Sequence, residues 1–492
     1  MKKIKELIKD LPKIEYKGDL DLMISSIEFD SRKISPSTQE ASSLYVAQKG
    51  TQSDGHLFIK QAIVNGTNVI VCEEFPATIH ENVTYIKVPD SSIALGRMAS
   101  AFYDYPSQKL KLIGVTGTNG KTTIVTLLYN LFRSLDYSTG LISTIENRIN
   151  DTVIKSTHTT PDAITLNHLL SEMVKAGCQY CFMEVSSHAV CQHRIEGLEF
   201  AGGIFTNITH DHLDFHKTFT QYIQAKKAFF DHLPEQAFAL VNKDDKNGLV
   251  MTQNSQANIK TYSLNGIADF KGKILDNSFE GLQMMINQQE AYFRLSGKFN
   301  AYNLLAIYGT AFLLGISQED LLVKMSSLQS ASGRFQLLRN DKDCKAIVDY
   351  AHTPDALQNV LTTIKDITQN SVELITVVGC GGDRDSSKRP EMAEIACRYS
   401  NKVILTSDNP RTEDPAKILK DMEVGIPVEF RQNVLVIENR KEAIRTASML
   451  LQKGGILLVA GKGHENYQEI NGIKHHFDDT EVLNEFFQNT NH

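Results

Sequence analysis

The stretch Gly114-Val-Thr-Gly117-Thr-Asn-Gly120-Lys121-Thr122-Thr123 concentrates residues that bind phosphate. It follows an apolar run at 110–115 and precedes a helix-like pattern at 124–135. A strand, a glycine-rich turn and a helix start form the setting of a phosphate-binding loop. The N–H groups of such a turn point inward, and the helix N-terminus adds partial positive charge, so a triphosphate is held with few side chains. Lys121 is expected to reach the β/γ-phosphates and Thr122 to offer its hydroxyl to Mg²⁺. The general pattern asks for glycine where Val115 stands; the nearest glycines are Gly114 and Gly117.

Further chemistry lies downstream. Phe182-Met-Glu184-Val-Ser186-Ser187-His188 reads as a strand ending in a carboxylate and two hydroxyls. A lone Glu in that place is commonly solvated, but Mg²⁺ beside a phosphate loop needs one or two carboxylates, which makes Glu184 a candidate ligand. Thr206 to His216 reads Thr-Asn-Ile-Thr-His-Asp-His-Leu-Asp-Phe-His. Its His and Asp residues invite a zinc reading, yet the spacing is loop-like rather than the i, i+4 pair of a helical site. Caps, turns and a packed or surface role for His216 are the alternatives. Tyr222 and Lys226 stand i, i+4 on a helix-like stretch and share a face, with Lys227 expected in solvent. A surface lysine is the default for Lys226; burial would lower its pKa and leave a reactive amine.

Asp408-Asn409-Pro410-Arg411 follows the strand-like run 402–406 and by itself reads as a turn. Gly379-Cys-Gly-Gly-Asp-Arg-Asp385 fails the spacing of a dinucleotide fingerprint, which argues against an oxidoreductase. Cys178 and Cys181 resemble half of a redox or zinc site, but no second pair follows, and both read as structural.

These residues must be positioned by alternating elements. The chain of 492 residues predicts about three domains. Its 41% hydrophobic and 22% charged content suits a soluble globular protein. With 51 basic and 58 acidic residues, net charge −7, a nucleic-acid or anionic-membrane surface is not expected. No apolar run approaches the ~18 residues of a membrane span. The charged N-terminal stretch has no secretory pattern, and the scattered odd count of seven cysteines suits a reducing compartment, so a cytoplasmic protein is expected.

An α/β fold of three domains is predicted. Residues 1–108 form a small N-terminal unit with strands near 43–47 and 68–72, and residues 105–109 read as its exit linker. Residues 109–333 form a central unit with strands at 110–115, 180–185, 201–205 and 237–241 in a mostly parallel sheet. Residues 334–492 form a third unit with strands at 345–348, 372–378, 402–406 and 456–460. Ligands in such sheets gather at the carboxyl ends of strands, where these motifs fall.

Together the motifs resemble the Mur ligases, ATP-dependent amide-forming enzymes of peptidoglycan synthesis, and within them the branch that adds the third residue of the stem peptide. The resemblance covers nearly the whole chain. It implies a UDP-binding N-terminal domain, a central P-loop ATPase domain and a C-terminal Rossmann-like domain. It implies that Gly117, Thr118, Asn119, Gly120, Lys121, Thr122 and Thr123 bind ATP, with Asn303, Arg334 and Asp349 contacting the nucleotide. Thr122 and Glu184 then hold a first Mg²⁺. His212 and a carbamate formed from CO₂ on Lys226 (N6-carboxylysine) help hold a second. Phe29, Ser31, Thr51, Gln52 and Ser53 resemble contacts to the uridine diphosphate, although Asp30-Ser31-Arg32 could be a simple turn. Thr159, Thr160, Ser186, Gln192 and Arg194 resemble contacts to the muramoyl dipeptide. Arg389, Asp408, Asn409, Pro410, Arg411, Gly461 and Glu465 resemble the site for the incoming amino acid, and the version ending in Arg is associated with meso-diaminopimelate. A planar guanidinium holds the extra carboxylate of diaminopimelate through paired charge-assisted bonds, so L-lysine is expected to be rejected. The implied reaction joins diaminopimelate to UDP-MurNAc-L-Ala-D-Glu through an acyl phosphate. Only small-molecule partners are expected, with no nucleic acid or membrane, and a monomer. An L-lysine-adding enzyme, a folylpolyglutamate-synthetase-like ligase and a non-catalytic nucleotide-binding protein are the alternatives.

Overall fold

The structure, a computed structural model, describes residues 1–38, 41–50, 53–340 and 343–488. Thr51 and Gln52, expected at a uridine-diphosphate site, lie outside the described residues.

Three sheets follow one another along the chain. In the first, the strands Met23–Glu28, Ser42–Val46, Val69–Cys72 and Thr84–Lys87 run parallel, with antiparallel strands Lys2–Lys3 and Glu15–Lys17 at the edges. Helix Ser91–Phe102 covers it, started by Asp90, whose carboxylate accepts from Ser92 N and Ile93 N. The expected linker at 105–109 is instead a fixed turn. Pro106–Lys109 forms a 3₁₀ turn with Pro106 and Ser107 buried, and Ser107 Oγ accepts from Glu199 N at 3.0 Å.

The central sheet has eleven strands. Its parallel part runs in the spatial order Thr139–Ile142, Tyr180–Glu184, Lys111–Thr116, Gly202–Phe205, Phe238–Asn242, Asn258–Ser263, Phe270–Asn277. Antiparallel strands extend both edges. Helices Lys121–Ser134 and Lys298–Leu313 cover one face, and Ala163–Lys175 and Phe219–Asp231 the other, each burying its own apolar cluster. Such strands, covered on both faces, read as continuous apolar runs, which is why their positions were legible. Lys111–Thr116 is flanked by Tyr180–Glu184 on one side and Gly202–Phe205 on the other. The loop leaving its carboxyl end therefore sits at a topological switch point, where α/β sheets open a crevice.

The third sheet is parallel through Lys345–Asp349, Ile456–Ala460, Leu374–Val378, Lys402–Leu405 and Val434–Val436, with Gln336–Arg339 antiparallel at one edge. A separate hairpin, Tyr467–Ile470 with Ile473–His476, follows it. Among the described residues no helix is long and apolar enough to cross a membrane.

Candidate functional site

A cavity of about 650 Å³ opens where the carboxyl ends of the second and third sheets face each other. Its wall begins at the phosphate loop. Gly117 has φ +149°, and a Cβ there would stand 1.8 Å from Thr206 Oγ1. Gly120 has φ +91°, and its Cβ would stand 2.6 Å from Asn303 Oδ1. Both positions thus demand glycine, for backbone angle and for close approach. Val115, where the general pattern asks for glycine, is instead a fully buried strand residue.

Lys121 Nζ folds back over the loop and donates to Gly117 O at 2.9 Å and Thr118 O at 2.8 Å. Burial holds its ammonium below the ordinary lysine range. Thr122 Oγ1 donates to Glu184 Oε1 at 2.9 Å, and the same oxygen accepts from Thr144 N at 2.8 Å. The hydroxyl and the carboxylate proposed for one metal are therefore neighbours, both buried. Asn119 N donates to Asn207 Oδ1 at 3.0 Å, and Thr118 Oγ1 lies 3.2 Å from the Tyr222 hydroxyl. Thr123 and Asn303 also line the cavity.

Lys226 is 1% exposed. Its Nζ donates to Gly117 O at 2.8 Å and lies 4.6 Å from the centre of the Tyr222 ring. Burial first, then the charge of Lys121, drives its pKa well below the ordinary value. Lys227 departs from the solvated role expected of it: it is partly buried and pairs with Asp231 Oδ1 at 2.6 Å, one helical turn on.

The histidine-rich loop resolves into separate roles. His216 is packed, its Nε2 2.9 Å from Ser187 Oγ. His210 stacks on Phe219. His212 faces the cavity in a left-handed conformation, φ +54°, with Nε2 3.4 Å from Asp211 Oδ2. Among the described residues no group of three or more His, Cys, Asp or Glu converges closely enough to hold a metal by itself. The donors that do come together, Thr122 Oγ1 and Glu184 Oε1, are hard oxygens, the kind Mg²⁺ prefers over the His and Cys donors of structural zinc.

The third unit closes the cavity. Arg334 Nη2 donates to Thr122 Oγ1 at 3.2 Å, and its guanidinium carbon lies 4.5 Å from the Tyr350 ring centre. Asp349 accepts from Phe335 N and Ala351 N, while burial raises its carboxyl. Asp408, Asn409, Arg411, Gly461 and Glu465 line the far wall. The glycine-rich loop at 379–385 is what lets this segment lie close. A Cβ on Gly379 would meet Thr406 O at 2.4 Å, and one on Gly382 would meet Pro410 O at 2.0 Å. Arg411, φ +52°, donates from Nη1 to Gly382 O at 2.7 Å and holds Nε 3.9 Å from Glu469 Oε2. Hairpin residues brace the segment: Arg411 N donates to Glu469 O, and Gln468 Nε2 donates to Asp408 O at 2.7 Å.

Several expected contacts are not at this cavity. Arg389 is buried beneath it, its Nη2 on Glu413 Oε1 and its Nη1 on Asp421 Oδ2, both at 2.8 Å, so its charge is already engaged. Gln192 and Arg194 bond to each other, and Arg194 Nη1 donates to Thr160 O at 2.8 Å. Thr160 is buried with its hydroxyl on Glu184 O, while Thr159 and Ser186 do face the cavity. Phe29, Ser31 and Ser53 belong to the first unit and line no part of the cavity. There Asp30 accepts from Arg32 N, Nε and Nη2, the local turn that Asp-Ser-Arg suggests.

The sequence reading missed Asp355, which accepts from Asn119 Nδ2 at 2.8 Å across the seam between the second and third units. Thr353-Pro354 announces a helix start, and Asp355 sits in the first turn of helix Pro354–Thr368. Nothing in the sequence ties it to a loop so distant along the chain. Tyr350, His352 and Lys388, also on the cavity wall, were missed for the same reason.

Comparison with known proteins fits this geometry. Residues 23–103 match the Mur ligase family catalytic domain, 115–311 the Mur ligase middle domain, and 333–463 the Mur ligase glutamate ligase domain. A relative from Phocaeicola vulgatus, named UDP-N-acetylmuramoyl-L-alanyl-D-glutamate--2,6-diaminopimelate ligase, is 56% identical over 487 residues, covering 99% of this chain and all of its own. This chain belongs to the Mur ligase family. A solved structure carrying the same ligase name is 34% identical, with TM-score 0.69 over 99% of this chain and 98% of that one. A folylpolyglutamate synthase from Thermotoga maritima shares the fold alone, at 16% identity and TM-score 0.58 over 76% of this chain and 90% of its own. For this Mur ligase, then, the fold alone does not separate the two ligase classes.

Proposed function

We propose that this chain is an ATP-dependent, ADP-forming ligase that joins the γ-carboxylate of D-Glu in UDP-MurNAc-L-Ala-D-Glu to an amino group of meso-diaminopimelate, in peptidoglycan precursor synthesis. The observation that carries this reading is that one cavity holds the phosphate loop with Glu184 and Lys226 on one wall and Arg411 with Glu465 on the other. The nucleotide and the incoming amino acid are thereby brought to the same carboxylate.

Gly117 to Thr123, with Lys121, hold the triphosphate, and Asn303, Arg334 and Asp349 bound the nucleotide. Thr159 and Ser186 at the cavity wall receive the muramoyl dipeptide, with Thr160, Gln192 and Arg194, which bond to one another beside them, completing that site. Phe29, Ser31, Thr51, Gln52 and Ser53 hold the uridine diphosphate. In these terms 1–108, 109–333 and 334–492 are the UDP, ATP and amino-acid units. The γ-phosphoryl group passes to the D-Glu carboxylate, giving ADP and an acyl phosphate. The amine then attacks the acyl carbon and forms the C–N bond, phosphate leaves with the C–O electron pair, and the nitrogen loses a proton. Positioning and charge neutralisation do most of this work. Lys121 supplies a fixed cation at the phosphates. Arg411 fixes the far carboxylate of diaminopimelate and so orients its reacting amine.

Thr122 Oγ1 and Glu184 Oε1 are buried hard-oxygen donors beside the loop and fit Mg²⁺. His212 and a carbamate on Lys226 would serve a second ion. When bound, Mg²⁺ neutralises phosphate charge. The buried Lys226 suits carbamate formation, since only a neutral amine adds CO₂ and burial favours that form. A monomer in the cytoplasm, where ATP is available, completes the reading.

The test is phosphate release with ATP, Mg²⁺ and UDP-MurNAc-L-Ala-D-Glu, comparing meso-diaminopimelate with L-lysine. Turnover with diaminopimelate alone is expected. Turnover with lysine would remove the role given to Arg411, and turnover with neither would remove the ligase reading. A carbamate resonance in ¹³C spectra with labelled bicarbonate, lost in Lys226→Ala, tests the modification.

A further inference from the structure

One buried cation is not used by this mechanism. Lys462 is fully buried, while Gly461 before it and Glu465 after it line the cavity. Its Nζ lies 3.2 Å from Asn409 Oδ1, 3.3 Å from Glu465 Oε2 and 3.7 Å from Asp408 Oδ1. The Tyr467 ring centre is 5.5 Å away. Asn409 completes the cluster by donating from Nδ2 to Glu465 Oε2 at 2.7 Å. The backbone is shaped for this close packing. Gly461 has φ +115°, and a Cβ on it would stand 2.6 Å from Asp408 Oδ2.

The charges explain why a lysine is kept in so dry a place. A buried ammonium is costly unless it is paired and hydrogen-bonded. Here it stands behind two carboxylates that both face the cavity and repel each other. Burial and the charge of Asp408 push the Glu465 carboxyl up, and Lys462 pulls it back down. The nearby Arg440 is engaged by Asp479, and Arg411 by Gly382 and Glu469. With Lys462 the cluster presents one net negative charge to the cavity, suited to one cationic group.

We propose that Lys462 is the positioning residue of the amino-acid site: from behind the wall it holds the Asp408 and Glu465 carboxylates together to receive the ammonium at the unreactive end of diaminopimelate. This rests on the ligase reading above. Arg411 takes the carboxylate of that end, and the Asp408–Glu465 pair takes its ammonium.

Steady-state ADP release by the full chain tests it in the wild type, Lys462→Gln, Glu465→Gln and the double variant. Lys462→Gln is expected to raise KM for diaminopimelate about 10-fold or more, as for loss of a charged hydrogen-bonded partner. Its kcat and its KM for ATP should stay within about 3-fold of wild type, an independent-site tolerance. In the Glu465→Gln background the same change should cost far less, because the two residues act as a unit. Lys462→Met takes its place if the first variant does not fold, judged by thermal melting. An unchanged KM for diaminopimelate, a parallel loss in every kinetic parameter, or fully multiplicative effects would each overturn the proposal. Absence of diaminopimelate-dependent turnover in the wild type would overturn the ligase reading and this proposal with it; turnover with an unaffected Lys462→Gln overturns this proposal alone.

Discussion

At the scale of single residues, the site works by choosing which charges water can reach. Arg411 is held by Gly382 O at the cavity wall proposed to receive the incoming amino acid. Arg411→Ala is therefore expected to raise KM for diaminopimelate at least about 10-fold and to narrow its advantage over lysine, since a paired guanidinium–carboxylate contact is lost. Competition assays with both amino acids would show it. Histidines give a second prediction. Burial pushes His352 down to about 4 and His464 to about 3, with Lys388 and Arg334 adding to the effect respectively. His476, exposed and 2.6 Å from Glu481, is instead raised. At pH 6, ring-carbon NMR should find His476 charged and the other two neutral; a charged His352 would contradict the enclosed wall described here. The sign for stability follows. In the unfolded chain both titrate near ~6.5, so each withdraws stability as the pH falls below that value.

At the scale of elements, the loops that carry the site are held by partners outside it. Helix Arg440–Leu450 and helix Asp479–Leu483 are joined by a fully buried pair, Arg440 Nε and Nη2 on the two Asp479 oxygens at 2.7 Å. Arg440 Nη2 also donates to Ala460 O, at the end of the strand that leads into Gly461. Asp479→Ala strands a buried guanidinium and should cost about 3–5 kcal/mol in denaturant unfolding, whereas Arg440→Met with Asp479→Leu should cost much less. The helices of this pair were not named from the sequence, but the strands that end at the site were largely readable. The strands 180–184 and 456–460 appear as apolar runs because both faces of their sheets are covered. The hairpin that braces Arg411 was not readable, because its exposed, mixed-polarity strands carry no burial pattern.

At the scale of the whole molecule, the seam between the second and third units runs along the cavity proposed to hold the nucleotide. Two hydrogen bonds cross it: Asn119 Nδ2 donates to Asp355 Oδ2, and Arg334 Nη2 donates to Thr122 Oγ1. Asp355→Ala is expected to raise KM for ATP about 10-fold through loss of a charged hydrogen-bond partner, with the melting temperature little changed. ATP titrations alongside thermal melts would check both halves. A large fall in melting temperature would instead make Asp355 a stability residue.

What the sequence alone determined is local chemistry. Phosphate-loop glycines, a carboxylate at a strand end and an amine one helical turn from Tyr222 are legible because backbone angle, strand end and helical period are properties of neighbouring residues. The tertiary structure decided the charge environment and the partners. It buried Lys226 and Lys462, engaged Arg389 away from the cavity, separated the histidines, and set Asp355 on Asn119. Those outcomes depend on desolvation and on contacts between residues far apart in the chain, which no local pattern encodes.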